Sequence, residues 1–382
     1  MLTATGLGKS FQVLGKPLTL FVFKVRVNQF NILVRGRKLS QQYWVDMWAK
    51  VERLRLRWAR DNQKKLKAER YKGLMDAQSN DDLPNAGRII ILPASITGSP
   101  RWYVEQLMDA MAIVRVFGKP TLFLTLTTNP RWMDIVDSLE EGECAFDRPD
   151  IVARVFNAKL GAMMDALVKR NLLGEVVYWV YTIEWQKRRG LPHCHCLLKL
   201  RNEPRTPAEV DALISAEIPG HDDPILRQLV IDHMIHGPCG QMNRNCVCME
   251  QVCHAPDKRL NVQKRNAQVG DSHRRECKIG FPFTFAKDTH LDDDTFPVYM
   301  RRSPEDGGET FENKMGLVVD NRWVVSFNKE ILLMWEGHAN LKLVVSVIGV
   351  KYVFKYEFKV MIFLYHHLEL KFYLLRGQTV SS

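Results

Sequence analysis

Two histidines separated by one residue are the most chemically informative feature of the sequence. The segment Pro192-His193-Cys194-His195 has the composition of a β-strand, and residues two apart on a strand point to the same face. His193 and His195 therefore direct two imidazoles towards one point, an arrangement that suits a divalent metal ion. Taken alone, the pair is a weak signal, and two histidines packed in a core are the favoured interpretation.

A carboxylate on the preceding apolar run could complete a metal site. Glu184 lies near the end of the aromatic and β-branched run 175–185, and a short basic turn leads from there to the histidines, so the two runs predict an antiparallel hairpin. If Glu184 shares the histidine face, the site has two histidines, one carboxylate and open positions for substrate oxygens. Gln186 is the alternative third ligand, and pairing with a turn arginine is the alternative role of Glu184. The residues expected in phase with Glu184 are Val176, Tyr178, Val180 and Thr182.

Two tyrosines further along the chain have helical spacing. Tyr352 and Tyr356 are four residues apart, and each is followed three residues later by a lysine, Lys355 and Lys359. A tyrosine hydroxyl, with an ordinary pKa of about 10, is a poor nucleophile at neutral pH. Nearby cations lower the cost of its ionisation and also bind phosphate. The alternative is an amphipathic surface helix with no catalytic role.

Cysteines are concentrated in one part of the chain. Five of the eight lie within residues 239–277, namely Cys239, Cys246, Cys248, Cys253 and Cys277. In a basic chain whose first ten residues do not form a secretory signal, such clustering indicates metal ligands or free thiols before disulfides. Their spacing does not form two CxxC pairs, so a structural zinc site and reduced structural thiols both stay open.

Length and charge narrow the function classes. The chain has 382 residues, enough for about two domains, and a net charge of +11. Its 46% hydrophobic and 25% charged residues are ordinary globular values, which exclude a disordered chain, a collagen or a coiled coil. No apolar run approaches the roughly 20 residues of a membrane span. The basic excess favours an acidic partner, above all a nucleic acid.

One predicted helix carries much of this charge. Apolar residues at steps of three and four predict a helix from Ser40 to about Tyr71, and Lys50–Lys72 contains ten Lys or Arg against three Asp or Glu. The resulting +7 predicts a surface that contacts the DNA backbone, with Arg53, Arg57 and Lys64 as its representative cations. A merely solvated helix face is the alternative.

The remaining patterns predict an α+β chain with a central antiparallel sheet flanked by helices. Helices and strands are mixed without a regular βαβ repeat. The predicted helices are Pro100 to Gly118, Asp150 to Asn171, one capped by Thr206, one capped by Asp223, and Val347 to Lys359. The predicted strands are Thr121–Thr128, Glu175–Trp185, Leu191–Leu200, a strand–turn–strand in Val318–Phe327, and Leu341–Val345.

The ordered set of these motifs resembles the Rep, or helicase-like N-terminal, domain of Helitron rolling-circle transposons. The likeness runs from about Asn31 to Lys359. Its segments are 36–43, 52–63, 92–95, 98–101, 117–132, 184–195, 236–240, 321–328, 338–340 and 351–359.

The resemblance implies a nuclease of the HUH type, acting on single-stranded DNA in the nucleus. It implies His193 and His195 as ligands of Mg²⁺ or Mn²⁺, and Tyr352 and Tyr356 as paired nucleophiles that form a 5′-phosphotyrosine intermediate. Full-length relatives carry a C-terminal helicase, which this chain lacks. We therefore expect a truncated or decaying copy, served if at all by a helicase in trans.

Departures from the family pattern define the alternatives. The doubled Arg188-Arg189 lengthens the turn before the histidines, Ser326 replaces a usual proline, and an unrelated tail follows Lys359. The alternatives are a non-catalytic DNA-binding remnant and a different two-histidine, one-carboxylate metal hydrolase. The expected organisation is an unassigned segment 1–35, a basic helical segment and linker 36–87, a nuclease-like domain 88–359 with a Cys-rich insert at about 236–285, and a tail 360–382.

Overall fold

The computed structural model of the chain describes residues 31–68, 90–96, 98–186, 190–237, 239–240, 243, 245–246, 248–251, 275–291 and 297–344. The helices in these ranges are α1 (Ile32–Arg35), α2 (Lys38–Asp61), α3 (Gln63–Ala68), α4 (Pro100–Phe117), α5 (Met133–Val136), α6 (Pro149–Val168), α7 (Pro207–Leu213), α8 (Pro224–His233) and α9 (Lys329–Trp335). The strands are β1 (Leu122–Thr127), β2 (Val176–Trp185), β3 (Pro192–Leu200), β4 (Met249–Gln251), β5 (Arg275–Cys277), β6 (Phe311–Glu312), β7 (Val318–Val319) and β8 (Ala339–Leu343).

A four-stranded sheet lies at the centre of the fold. Its strand order is β2-β3-β1-β8, and every neighbouring pair is antiparallel. The two short antiparallel pairs β4–β5 and β6–β7 form separate two-stranded sheets. The α+β prediction, with an antiparallel sheet flanked by helices, is confirmed.

One face of this sheet carries the main hydrophobic core. The alternating residues of β1, Leu122, Leu124 and Leu126, are fully buried, and Cys194 and Cys196 on β3 lie on the same side. They form one apolar cluster with the inner faces of α6 and α9. Because residues two apart on a strand share a face, the histidines must lie on the opposite side from this core.

The opposite face of the sheet is divided between packing and chemistry. Ala110 and Val114 of α4 pack against Tyr178, Val180 and Leu197 at the end of the sheet that is distant from the β2–β3 turn. Helix α4 begins as its sequence predicts, because the Ser99 side chain caps it by accepting a hydrogen bond from the Trp102 amide, at 3.2 Å. The half of the face nearer the β2–β3 turn carries the polar residues.

Two predicted details are wrong. Val176 pairs with Leu200 while Tyr178 pairs with Lys199, so an irregularity in β2 turns Val176 towards the main core, away from the Glu184 phase. Residues 318–327 do not form a strand–turn–strand: β7 is followed by a 3₁₀ turn, Asn321–Trp323, and Val324 then makes a single bridge to Ile235. The Asp320 side chain caps that turn by accepting from the Arg322 amide.

The basic helical segment contacts the rest of the molecule through its polar side chains and a small apolar cluster. Gln63 exchanges two hydrogen bonds with the backbone of Ile91, and Ala59, Leu66 and Ile96 form a buried cluster. The structure also divides the helix that the sequence predicts from Ser40 to about Tyr71. Its described residues form two helices, α2 and α3, with Asn62 between them.

The sheet core gives a direct stability test. Leu126→Ala removes a fully buried side chain from the middle of the sheet and should lower the free energy of unfolding by about 2–5 kcal/mol. The matched control Leu39→Ala, at a side chain that is 79% exposed, should change it by less than about 0.5 kcal/mol. Urea unfolding followed by circular dichroism measures both, and equal losses would contradict the assigned core.

Candidate metal centre

The β2–β3 pairing places Glu184 on the histidine face. Glu184 lies directly opposite His193, and Thr182 lies opposite His195. Cross-strand partners point to the same side of a sheet, so the carboxylate and both imidazoles share one face. Trp185 pairs with Pro192. The doubled arginine therefore belongs to the connection between the strands and leaves the phase of Glu184 unchanged.

The three side chains converge closely enough to hold one ion. Their candidate ligand atoms all lie within 4.8 Å of one another. His195 Nε2 is 3.1 Å from Glu184 Oε1, and the two imidazole rings are 4.4 Å apart at an interplanar angle of 79°. The expectation that His193 and His195 share one cavity with Glu184 in reach agrees with this geometry.

Two threonines of β1 fix the orientation of the imidazoles. Thr127 lies opposite His193 and Thr125 opposite His195. The Thr127 hydroxyl is 2.7 Å from His193 Nδ1, and the Thr125 hydroxyl is 3.1 Å from His195 Nδ1. With both Nδ1 atoms engaged, both Nε2 atoms are left as the ligand atoms, the usual way in which an outer partner orients a metal-binding histidine.

The surroundings keep His193 uncharged. His193 and His195 are each only 8% exposed, and Phe123 stacks on the His195 ring at 5.6 Å. Burial lowers the pKa of His193 well below its ordinary value, and the neighbouring His195 and His338 lower it further. His193 is therefore neutral at physiological pH, which is the form that binds metal.

One carboxylate oxygen of Glu184 indicates that this site suits a cation. Glu184 Oε2 is buried and has no hydrogen-bond partner among the described residues. A buried neutral group without a hydrogen-bond partner destabilises the folded protein by about 1–3 kcal/mol, and a buried charged oxygen destabilises it by more. A divalent ion between Glu184, His193 and His195 would satisfy it, and a site of two imidazoles and one carboxylate leaves open positions for water or substrate oxygens.

Gln186, the alternative third ligand, directly follows β2. Its backbone closes the turn: its N–H donates to Leu191 O at 3.0 Å, and its carbonyl accepts from Gly190 at 2.7 Å. Because Glu184 already contacts His195, the carboxylate is the better supported third ligand.

The cysteine cluster contains a histidine that the sequence analysis did not propose as a ligand. His236 lies with Cys239, Cys248 and Cys277 in a second group whose ligand atoms are all within 4.8 Å of one another. Cys246 contacts this group through Cys248, with 3.4 Å between the two sulfurs. Cys253 lies outside the described residues.

The predicted DNA-contacting cations lie on an exposed surface. Arg53 and Arg57 line one open groove of about 410 Å³ together with Arg60. Lys64 on α3 lines a neighbouring groove that also includes Arg60. All four side chains are exposed.

Tyr352, Lys355, Tyr356 and Lys359 lie outside the described residues, so their roles stay predictions.

Fold and site together define an α+β protein whose central antiparallel sheet carries a two-histidine, one-carboxylate candidate metal centre. Residues 18–198 match the family described as the Helitron helicase-like domain at the N-terminus. The matched region contains β1, β2 and Glu184, His193 and His195, whereas the Cys group lies C-terminal to it. No curated protein matches the sequence. Among the described residues, no helix has the length and apolar character needed to cross a membrane.

The threonine contacts predict a measurable effect on metal affinity. Thr127→Val keeps the shape of the side chain but removes the hydroxyl that orients His193, and should weaken Mn²⁺ binding by about 10–100-fold. Isothermal titration calorimetry measures the affinity.

The matched control is Thr128→Val, also a buried threonine, whose hydroxyl donates to the Pro192 carbonyl and not to an imidazole. It should leave Mn²⁺ affinity nearly unchanged. If both variants lose affinity equally, the threonine hydroxyls do not act through the histidines.

Proposed function

We propose that this protein is a metal-dependent endonuclease and strand transferase for single-stranded DNA, with tyrosine as the nucleophile. The observation that carries the proposal is the convergence of Glu184, His193 and His195 within a Helitron helicase-like domain. A divalent Mg²⁺ or Mn²⁺ held there would supply Lewis-acid stabilisation to an oxygen of the scissile phosphodiester.

The chain's own residues would do the rest of the chemistry. Tyr352 or Tyr356 attacks phosphorus through its phenolic oxygen, and the bond from phosphorus to the 3′ oxygen breaks. The phenolic proton is released, and the 3′ oxygen takes up a proton to leave as a hydroxyl. The product is a 5′-phosphotyrosine, whose energy permits rejoining to another 3′-OH. Lys355 and Lys359 would offset the charge of the phosphate.

The basic surface supports a DNA substrate. Arg53, Arg57 and Arg60 are spaced four and three residues apart on α2, so they lie along one side of the helix, and they line the same groove. A row of arginines at this spacing neutralises phosphates without reading bases. A DNA substrate would in turn place the protein in the nucleus, with any helicase supplied in trans.

The covalent intermediate is the sharpest test of this proposal. The full chain is incubated with a random-sequence pool of single-stranded oligonucleotides labelled at the 3′ end, in Mn²⁺ or Mg²⁺, and resolved on a denaturing gel. The wild type should acquire the label, because the downstream fragment stays attached through its 5′ phosphate. Tyr352→Phe with Tyr356→Phe should abolish the adduct yet keep DNA binding, whereas either single variant should retain cleavage.

Controls separate the alternatives. His193→Ala with His195→Ala should abolish the adduct, and Tyr299→Phe, a buried tyrosine outside the site, should keep it. Cleavage without an adduct would indicate a metal hydrolase, and binding without cleavage would indicate a non-catalytic remnant. An adduct that survives in the double Phe variant would assign the nucleophile to another residue.

Salt dependence tests the basic surface separately. Charge reversal of Arg53, Arg57 and Lys64 to glutamate should weaken binding of single-stranded DNA and flatten the plot of log affinity against log salt by about 2, since each lost phosphate contact removes about 0.7. Fluorescence anisotropy over a salt series measures this slope.

A charge-matched variant is the control for that slope. Reversal of Lys169, Arg170 and Lys314, which are exposed and lie away from α2, changes the net charge equally. It should leave the slope close to that of the wild type. Equal flattening by both variants would mean that overall charge, and not this helical surface, governs binding.

A further inference from the structure

We propose that His236, Cys239, Cys248 and Cys277 bind one Zn²⁺ ion in a structural site that is separate from the histidine pair on the central sheet. The four side chains come from three parts of the chain: the residues after α8, the residue before β4 and the end of β5. Their ligand atoms lie within 4.8 Å of one another. The proposal does not depend on nuclease activity.

The observed spacing matches tetrahedral zinc. With Zn–S distances of about 2.3 Å and Zn–N distances of about 2.0–2.1 Å, the ligand atoms of a tetrahedral site lie about 3.4–3.8 Å apart. Cys277 Sγ is 3.6 Å from His236 Nε2. Because all four ligand atoms lie within 4.8 Å of one another, no separation exceeds the tetrahedral value by more than about 1 Å, so a zinc ion would require little movement.

The imidazole is held in place by its neighbours. The His236 ring stacks on Phe281 at 4.3 Å and lies parallel to Trp323 at 6.5 Å. Its backbone N–H donates to Trp323 O at 2.9 Å. Cys239 and Cys248 are buried in the same cluster with these two aromatic residues. The His236 ring is therefore oriented, and Cys239 and Cys248 are shielded from water, before any ion binds.

The antiparallel pair β4–β5 brings two of the thiols side by side. Met249 pairs with Cys277, and the Lys278 N–H donates to Cys248 O at 2.8 Å. This pairing holds the backbones of Cys248 and Cys277 next to each other, so their sulfurs can reach the same ion.

The ligand set selects the metal. Three thiols and one imidazole form a soft donor set that suits Zn²⁺ and disfavours Mg²⁺ or Mn²⁺, which take oxygen ligands. The set is also complete, since structural zinc is almost always four-coordinate. Cys246, which touches only the Cys248 sulfur among the described thiols, is left as a free thiol.

Metal content and cobalt spectroscopy test this site. The full chain, purified under reducing conditions without added metal, should contain one zinc per chain by plasma mass spectrometry. Replacement with Co²⁺ should give the visible bands of a tetrahedral ion and a near-ultraviolet charge-transfer band with the intensity of three thiolates. Cys239→Ser, Cys248→Ser and Cys277→Ser should each lose zinc, and His236→Cys should raise the charge-transfer band to that of four thiolates.

The control variants keep the zinc. Cys246→Ser and Cys144→Ser, the latter at an exposed thiol, should retain one zinc and an unchanged cobalt spectrum. His193→Ala with His195→Ala should also retain it, so the two candidate metal centres are tested independently. Should the ligand variants prove insoluble, titration of the wild type with a mercurial thiol reagent should release the zinc.

Several results would overturn the proposal. They are a wild-type chain without zinc or thiolate–cobalt bands, zinc that stays bound after all thiols are blocked, and ligand variants that retain full zinc. Loss of zinc from Cys246→Ser would mean that Cys246 is a ligand in place of one of the four. Loss of zinc from the His193/His195 variant would assign the ion to the central sheet.

Discussion

The pairing of β3 with a strand on each side is the constraint on which the rest of the candidate metal centre depends. The pair Glu184–His193 fixes the carboxylate on one side, and the pair Thr127–His193 fixes the hydroxyl on the other. Because side chains alternate along a strand, a slip of one residue in either pairing would send one partner to the opposite face. The doubled arginine before the histidines is harmless for the same reason: it lies between the paired residues Trp185 and Pro192 and not within the register.

Burying polar side chains is unfavourable, and the apolar core on the opposite face of the sheet offsets this cost. The side chains of β1 that point away from the site are fully buried leucines. The indole N–H groups of Trp335 and Trp132 also link this core to β1, the strand that carries Thr125 and Thr127. Trp335 Nε1 donates to the Thr127 carbonyl at 2.8 Å, and Trp132 Nε1 donates to the Trp335 carbonyl at 2.9 Å. The residue that orients His193 is therefore anchored by its backbone to the core, while its side chain faces the site.

Local sequence patterns predicted the parts of the fold that local chemistry determines. Capping residues predicted the helix starts at Ser99, Thr206 and Asp223, and two apolar runs predicted the β2–β3 hairpin. That Glu184 shares the histidine face was expected only on the condition that the doubled arginine stays in the turn. Thr125 and Thr127 were missed because they lie 70 and 66 residues from their partners, and only the β1–β3 register brings them together. Their own i, i+2 spacing on a predicted strand was the available signal.

Other features could not be predicted because they depend on tertiary contacts. The irregularity after Val176 has no glycine or proline to announce it. Helix α9 is only seven residues long, too short for a clear period, and is held by burial of Ile331, Leu332 and Trp335. His236 joins the thiols only because the chain after α8 pairs with the 3₁₀ turn at Trp323. A CxxC pattern would have indicated the cluster, but here its ligands come from distant segments.

The two candidate metal centres are connected through His338, which immediately precedes β8. Its carbonyl accepts from the Thr127 N–H at 2.9 Å, and its Nδ1 lies 2.9 Å from the His233 carbonyl at the end of α8. His236, a member of the Cys group, lies three residues after His233. His338 thus links the end of α8, three residues before His236, to the backbone of Thr127. Thr127 is also the residue that pairs with His193 and whose hydroxyl lies 2.7 Å from His193 Nδ1. The segment that leads into the Cys group is therefore joined by two hydrogen bonds through His338 to the residue that orients His193.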